Sequence, residues 1–173
     1  LVKSNPGIVH GEINNFRPID PSKTLLSKEL KQNLIHGYYA SVSYMDEQMG
    51  RVMKEVKRLK LDKNTIIILW GDHGWHLGDH GLWNKHSNFE EATRTPLIIS
   101  SPSIDGGFVN NSLVELVDLF PTVCDLAGIP VPKKLHGKSL LPVLDRKELK
   151  VKDFAISQYP RRCNVMRSVI GAY

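Results

Sequence analysis

The chain has 173 residues, of which 41% are hydrophobic and 24% are charged, and its formal net charge is +5. This length can bury one ordinary hydrophobic core, and the composition is that of a globular protein and not of a disordered one. We expect no membrane span, because no apolar run approaches the ~20 residues that cross a bilayer. The 23 basic residues exceed the 18 acidic residues only mildly, which suits an anionic substrate and gives no indication of a nucleic-acid partner.

The first third of the chain predicts an irregular segment followed by one long helix. Leu1 to Ser22 is rich in Pro, Gly and Asn, which is typical of a loop. From Ser27 to Leu61, apolar residues recur at steps of three and four and form one stripe of an amphipathic helix. The residues of this stripe are Leu30, Leu34, Tyr38, Val42, Met45, Met49, Val52, Val56 and Leu59.

The short β-branched run Ile66 to Trp70 predicts a buried central strand of a parallel sheet. In open α/β sheets, reactive groups lie just past the carboxyl ends of the strands. Asp72 and His73 fall at that place, and a carboxylate beside an imidazole is a natural start for a divalent metal site. Lys85 follows thirteen residues after Asp72. It is a compact cation that suits an anionic oxygen of a substrate.

Two other interpretations of this loop are weighed beside the metal site. Asp-His-Gly is also an ordinary turn sequence after a strand. The four histidines between Gly71 and Ser87 could instead indicate a self-contained zinc site. The glycines of the loop argue against the helix that would bring His76 and His80 onto one face. We expect the glycines that flank the Asp-His pair, Gly71 and Gly74, to allow a tight backbone path that aims both side chains one way.

Further strands and helices alternate through the rest of the chain. Pro121 lies inside one predicted helix, so that this helix either starts late or is kinked. The alternation predicts an α/β fold in which helices flank a mostly parallel sheet. The predicted elements are helices over Asn88 to Ala92 and Leu113 to Ala127, and strands over Leu97 to Ile99, Phe154 to Ser157 and Val165 to Ile170.

A set of motifs in fixed order resembles the sulfatases of the alkaline-phosphatase-like superfamily, and within them the iduronate-2-sulfatase group. The central motif is DHGWHLGDHGLWNKHSNFEEATRTPL, from Asp72 to Leu97. The segment Gly37 to Asp46 precedes it, and the segments Asp118 to Thr122 and His136 to Leu140 follow it. The resemblance covers most of the chain, from about Leu30 to Pro160. It implies part of the alkaline-phosphatase-like α/β fold.

The resemblance implies a sulfuric ester hydrolase that acts on sulfated sugars such as glycosaminoglycans. It implies that Asp72 and His73 are ligands of a divalent metal, Ca²⁺ in this family, and that Lys85 is the catalytic contact to the sulfate. A histidine is softer than the usual calcium ligands, so a different divalent ion stays an alternative. A phosphoesterase or phosphonate hydrolase of the same superfamily, or a non-catalytic metal-binding module, are the alternative functions, because sulfate and phosphate esters are similar tetrahedral anions. The resemblance to sulfatases suggests a secreted, periplasmic or lysosomal location.

The chain departs from the family pattern in the region of the nucleophile. The family nucleophile, a cysteine-derived formylglycine or a serine, lies in a Cys/Ser-x-Pro-x-Arg motif, and no such motif occurs in this sequence. Cys163 and Arg167 share only its spacing and lack the proline between them. The paired aspartates that complete the metal site and the downstream catalytic histidine are missing as well. We therefore expect a middle portion of a sulfatase that is inactive alone, with residues 1–150 in the catalytic domain and residues 151–173 opening a C-terminal subdomain.

Overall fold

The computed structural model describes residues 26–161 and 167–172, and the side chains of residues 26–159. The predicted N-terminal loop, Leu1 to Ser22, and Cys163 lie outside the described residues. Within the described residues, no helix is long and apolar enough to cross a membrane. The described helices and strands, in chain order, are α1 (Lys28–Arg58), β1 (Ile67–Trp70), β2 (His76–Leu77), β3 (Trp83–Asn84), α2 (Glu90–Thr93), β4 (Leu97–Ser100), α3 (Leu119–Leu126), α4 (Leu141–Leu144), β5 (Ile156–Arg161) and β6 (Arg167–Ala172).

The chain forms two compact units, each built from two segments. The first unit contains Leu1–Leu59 and His73–Thr95, and the second contains Lys60–Asp72 and Pro96–Tyr173. The chain passes from the second unit to the first directly after Asp72. The predicted boundary at residue 150, between a catalytic domain and a C-terminal subdomain, stays a prediction.

In the first unit, the long predicted helix is confirmed as α1. It begins where the hydroxyl Oγ of Ser27 accepts a hydrogen bond from the backbone N–H of Leu30, at 3.2 Å, which satisfies one of the unpaired donors of the first turn. The first turn carries Glu29 and the last turn carries Lys57 and Arg58, so both ends complement the helix dipole.

The hairpin of β2 and β3 packs against the start of α1. The two strands are antiparallel, with Leu77 opposite Trp83. The indole of Trp83 is 6% exposed and is the centre of an apolar cluster. This burial of aromatic and aliphatic surface attaches the hairpin to the helix. The residues packed around Trp83 are Leu26, Leu30, Leu34, Ile35 and Leu77.

In the second unit, β1 pairs with β4, and the direction of this pair corrects the prediction. Ile67 lies opposite Ser100 and Trp70 lies opposite Leu97, so the pair is antiparallel. Every strand pair among the described residues is antiparallel, so the predicted parallel sheet with β1 at its centre is wrong for this part of the chain. The predicted burial is also wrong, because Ile67 to Leu69 are half-buried and Trp70 is 50% exposed. An apolar β-branched run carries no information about the direction of the neighbouring strand. The α/β class itself is confirmed.

The two predicted C-terminal strands form one hairpin. β5 begins at Ile156, two residues after the predicted start at Phe154, and runs on to Arg161. β6 covers the described part of the second predicted strand and extends it to Ala172. Ile156 lies opposite Ala172 in an antiparallel pair.

The predicted helix around Pro121 starts late. A 3-10 turn, Leu116–Asp118, precedes α3, so the predicted start at Leu113 is wrong and the late start is confirmed. Pro121 is the third residue of α3, where a backbone N–H has no partner within the helix and its absence costs nothing. Gly128 has a left-handed φ of 67° and ends the helix.

A buried ion pair holds the segments of the second unit that follow β4. The carboxylate of Asp118 is completely buried and accepts hydrogen bonds from the backbone N–H groups of Glu115 and Lys138, each at 2.8 Å. The ammonium of Lys152, with its side chain 9% exposed, lies 2.6 Å from Asp118 Oδ2 and 2.6 Å from Glu115 Oε2. Burial opposes the charge of Lys152, but the hydrogen bonds to Asp118 and Glu115 outweigh it and raise its pKa.

Two further close contacts tie the segment after α3 to this ion pair. The hydroxyl of Thr122 donates to the carbonyl oxygen of Asp118 at 2.6 Å and accepts from the N–H of Leu140 at 2.9 Å. A side chain at Gly137 would overlap the carbonyl oxygen of Val117. Only glycine therefore lets the backbone approach this closely.

Lys152→Met should destabilise the protein by about 3–5 kcal/mol, because it keeps the apolar stem but leaves the buried carboxylate of Asp118 without its cation. Urea denaturation of the two proteins measures this difference. The matched control is Lys150→Met, whose partner Asp153 is exposed and whose loss should barely move the midpoint. Equal effects of the two substitutions would contradict this account of Asp118.

Candidate active site

Asp72 lies at the place that the sequence predicts, directly past the end of β1. The N–H of Gly71 donates to the carbonyl oxygen of Pro96 at 3.1 Å, which continues the pairing of β1 and β4 by one step. Asp72 is the first residue beyond this ladder, and it is exposed.

The imidazole of His73 is oriented by one hydrogen bond and one ring stack. Its Nδ1 lies 2.9 Å from the carbonyl oxygen of Gly74. A carbonyl oxygen can only accept, so Nδ1 donates this bond, and in the neutral tautomer Nε2 carries the lone pair, as in a histidine that binds a metal. The ring stacks on Trp75 at 6.0 Å, and Trp75 stacks on Tyr38 of α1 at 6.3 Å.

Gly74 is required for a reason other than the predicted conformational freedom. Its N–H donates to the carbonyl oxygen of Ala92 in α2 at 2.8 Å. An added Cβ at Gly74 would overlap the carbonyl oxygen of Glu91. The turn after the Asp-His pair is therefore pressed against α2, and this contact leaves no room for a side chain.

Lys85 follows the hairpin directly and is half-buried. The residue before it, Asn84, is 2% exposed and has a left-handed φ of 71°. The carbonyl oxygen of Lys85 accepts a hydrogen bond from the N–H of Ser87 at 2.9 Å. His73 and Lys85 thus lie in the same unit, and the assembly of Asp72, His73 and Lys85 into one site stays a prediction.

His76 is a polar residue of the loop that the sequence did not connect to the site. It is completely buried, and its Nε2 lies 2.6 Å from the hydroxyl of Ser87. Burial lowers the pKa of His76, and the nearby carboxylates of Glu91 and Asp79 only partly oppose this. His76 is therefore neutral near pH 7. Only its burial distinguishes it from the other histidines of the loop, and the sequence pattern does not show that burial.

The contacts of the loop histidines bear on the zinc alternative. His80 stacks on Phe89 at 4.4 Å, and its Nε2 lies 3.4 Å from Glu91 Oε1. His76 is hydrogen-bonded to Ser87. Within residues 26–161, no three side chains of His, Cys, Asp or Glu are gathered in a way that could hold a metal ion. The zinc alternative finds no support in this geometry.

Asp72 and His73 are suitable donors for a divalent cation. A carboxylate oxygen and an unprotonated Nε2 suit Ca²⁺ only in part, because calcium prefers oxygen ligands, and they suit several other divalent ions. Two ligands leave most of the coordination sphere to other groups. The donor types of Asp72 and His73 suit part of a divalent-metal site, and their joining with further donors in one site stays a prediction.

The pKa of His76 makes stability depend on pH in a defined direction. The folded protein binds a proton at His76 more weakly than an unfolded histidine with a pKa of 6.5 does. The stability that neutral His76 provides is therefore complete above pH 6.5, and it is lost as the pH falls toward the folded-state pKa. Thermal denaturation at about pH 7.5 and about pH 5.5 should show a steeper loss in the wild-type protein than in His76→Gln. The exposed His136 offers the matched control, since His136→Gln should keep the wild-type slope. An identical slope in all three proteins would rule out this role of His76.

Comparisons with known proteins agree on one family. A family model described as "Sulfatase" matches residues 10–129. Iduronate 2-sulfatase of Mus musculus is 39% identical over an alignment of 134 positions, which covers 63% of this chain and 24% of the mouse protein. A solved structure of an enzyme in complex with its substrate D-glucosamine-2-N,6-O-disulfate matches 94% of this chain and 34% of that chain, at 30% identity and a TM-score of 0.76. Phosphonate monoester hydrolase of Silicibacter pomeroyi matches with a TM-score of 0.74 and 29% identity over 82% of this chain and 30% of that chain.

The chain spans between about a quarter and a third of the length of these relatives. Its fold is, in this part, the alkaline-phosphatase-like α/β fold that the sequence predicts. The matched family segment covers more than half of the chain and includes Asp72, His73 and Lys85. The chain belongs to the sulfatase family.

Proposed function

We propose that the protein is a sulfuric ester hydrolase that acts on sulfated sugars, similar to iduronate 2-sulfatase. The observation that carries this proposal is the Asp-His turn at the end of the β1 and β4 ladder, with the lone pair of His73 on Nε2. Within a chain of the sulfatase family, this turn would supply one oxygen and one nitrogen ligand to a divalent metal.

The substrate class follows from the relatives. One is an iduronate 2-sulfatase, and another is an enzyme in complex with a disulfated glucosamine. A sulfated saccharide, such as a glycosaminoglycan fragment, is therefore the substrate that the proposal names. The mildly positive charge of the chain suits such an anion.

Asp72 and His73 would hold a divalent metal, and we propose that this metal is Ca²⁺. When bound, the metal would supply positive charge to the oxygens of the sulfate group. In this site the carboxylate of Asp72 would balance the charge of the ion, and the imidazole of His73 would contribute the lone pair of Nε2. The hydrogen bond from Nδ1 to Gly74 keeps that lone pair on Nε2.

Lys85 would bind the sulfate directly. Its ammonium is a compact charge that can donate to a sulfate oxygen and stabilise negative charge as the ester bond breaks. The nucleophile and the acid for the leaving alcohol are outside this arrangement, because the sequence contains no Cys/Ser-x-Pro-x-Arg motif. The role of this chain is to hold the anion and not to attack it.

A phosphonate or phosphate ester hydrolase is the second candidate. It is favoured by the structural likeness to a phosphonate monoester hydrolase, with a TM-score of 0.74. Sulfate and phosphonate monoesters present similar tetrahedral anions, so a cation and a lysine can bind either. Comparing kcat/KM for matched aryl sulfate and aryl phosphonate esters distinguishes the two activities.

In the full-length protein, Asp72→Ala should lower turnover of an aryl sulfate and of a sulfated uronic-acid disaccharide by orders of magnitude, because a direct metal ligand is lost. Lys85→Ala should cost about 2–4 kcal/mol in transition-state stabilisation, as for other preorganised charges. The matched control is the exposed Lys63, and Lys63→Ala should leave kcat/KM unchanged. Full activity of both Asp72→Ala and Lys85→Ala would refute the proposed site.

A folded sample of the 173-residue chain alone should bind Ca²⁺ no more tightly than a Kd of about 10⁻³ M, since two ligands leave most of the coordination sphere to water. It should not turn over aryl sulfates, because it lacks the nucleophile motif. Titration calorimetry and a chromogenic assay measure these properties, with Asp72→Ala as the control for site-specific binding. Micromolar calcium affinity that is lost in Asp72→Ala would show that this chain completes the metal site by itself.

A further inference from the structure

The short segment that carries Lys85 is fixed on both sides. On one side, Asn84 is 2% exposed, lies opposite His76 in the hairpin and adopts a left-handed backbone conformation. On the other side, Ser87 is buried, and its N–H donates to the carbonyl oxygen of Lys85 at 2.9 Å. Lys85 is therefore a half-buried residue between two buried ones.

One side-chain hydrogen bond closes this segment onto the other strand of the hairpin. Nε2 of His76, in β2, lies 2.6 Å from Oγ of Ser87, which follows β3. The same Oγ also accepts from the N–H of Phe89 at 3.2 Å, and the ring of Phe89 packs edge-on against His76 at 6.2 Å. The bond spans eleven residues of sequence and encloses the turn, β3 and Lys85.

A residue whose task was only to fill this space would be apolar. A buried imidazole costs free energy unless both nitrogens are bonded. Among the described residues, Nδ1 of His76 has no hydrogen-bond partner. Unlike a leucine, His76 provides a directional hydrogen bond that fixes the position of Ser87, two residues after Lys85.

We propose that His76 is a positioning residue for Lys85, acting through its hydrogen bond to Ser87. This inference rests on the proposed function, in which Lys85 binds the sulfate. Lysine has a long and flexible side chain, so the accuracy with which its ammonium meets an anion depends on how firmly its backbone is held. Small displacements of a catalytic group lower rates strongly, because reacting groups must lie close to their productive geometry.

The first test is a double-mutant cycle in the full-length protein, assayed with an aryl sulfate. His76→Leu should lower kcat/KM by about tenfold, within the loss of up to a hundredfold that a displacement of 1 Å can cause. His76→Gln, which keeps a nitrogen near the position of Nε2, should recover most of it. In the Lys85→Ala background, His76→Leu should cause no further loss, because the residue through which it acts is gone. Equal losses in both backgrounds would overturn the proposal.

Ser87→Ala removes the same bond from its other end and should reproduce the effect of His76→Leu, which covers the case in which the latter does not fold. Its matched control is Ser101→Ala, a buried serine whose hydroxyl bonds to Ser103 in the second unit. Ser101→Ala should leave kcat/KM at the wild-type value. A Ser87→Ala protein with wild-type kcat/KM would overturn the proposal.

The second test does not depend on sulfatase activity. The rate at which acetic anhydride acetylates Lys85, measured by peptide mass spectrometry against the exposed Lys54 in the same sample, should rise severalfold in His76→Leu and Ser87→Ala. An unchanged rate would refute the positioning role even if the enzyme is a sulfatase. A raised rate together with full activity of Lys85→Ala would refute the sulfate role of Lys85 while the positioning role stands.

Discussion

The burial of Trp83 beneath α1 is the contact on which the rest of the first unit depends. A large indole in a well-packed site contributes about 3–5 kcal/mol when measured by truncation, a substantial share of the stability of a domain. Gly78 supports the turn beside this indole, because its φ of 111° excludes ordinary side chains. The hairpin is thereby attached to the helix, and this attachment fixes the positions of the residues that flank the hairpin.

Much of the fold could be predicted from the sequence where local physics decides it. The span of α1 follows from its apolar periodicity and from the serine that caps it, and the late start of α3 follows from the geometry of Pro121. The direction of β1 could not be predicted, because the pattern of a buried strand is the same beside a parallel or an antiparallel neighbour. The position of Asp72 just past a strand could be predicted from the sequence. The contacts of His76 could not, because they depend on tertiary packing that leaves no signal in the local sequence.

Motifs that a family shares need not carry its chemistry. The segment Asp118 to Thr122 and the segment after His136 belong to the resemblance, yet in the structure they serve the packing of the second unit. The carboxylate of Asp118 accepts from the backbone N–H groups of Glu115 and Lys138 and pairs with Lys152. Gly137 is needed because the carbonyl oxygen of Val117 fills the space of a Cβ. The contacts of Asp118 therefore belong to the packing of the second unit.

The two histidines of the Asp-His loop show how one residue type serves two purposes within three positions. His73 donates from Nδ1 to its own turn, so its basic nitrogen is Nε2, and stacking on Trp75 orients its ring. His76 turns inward, uses Nε2 for Ser87 and is kept neutral by burial. The arrangement of His73 suits Nε2 for binding a metal. In His76, the same ring nitrogen is used in a structural hydrogen bond to Ser87. Because α1 holds the ring stack of His73 and also the hairpin that contains His76, one helix fixes the geometry of both.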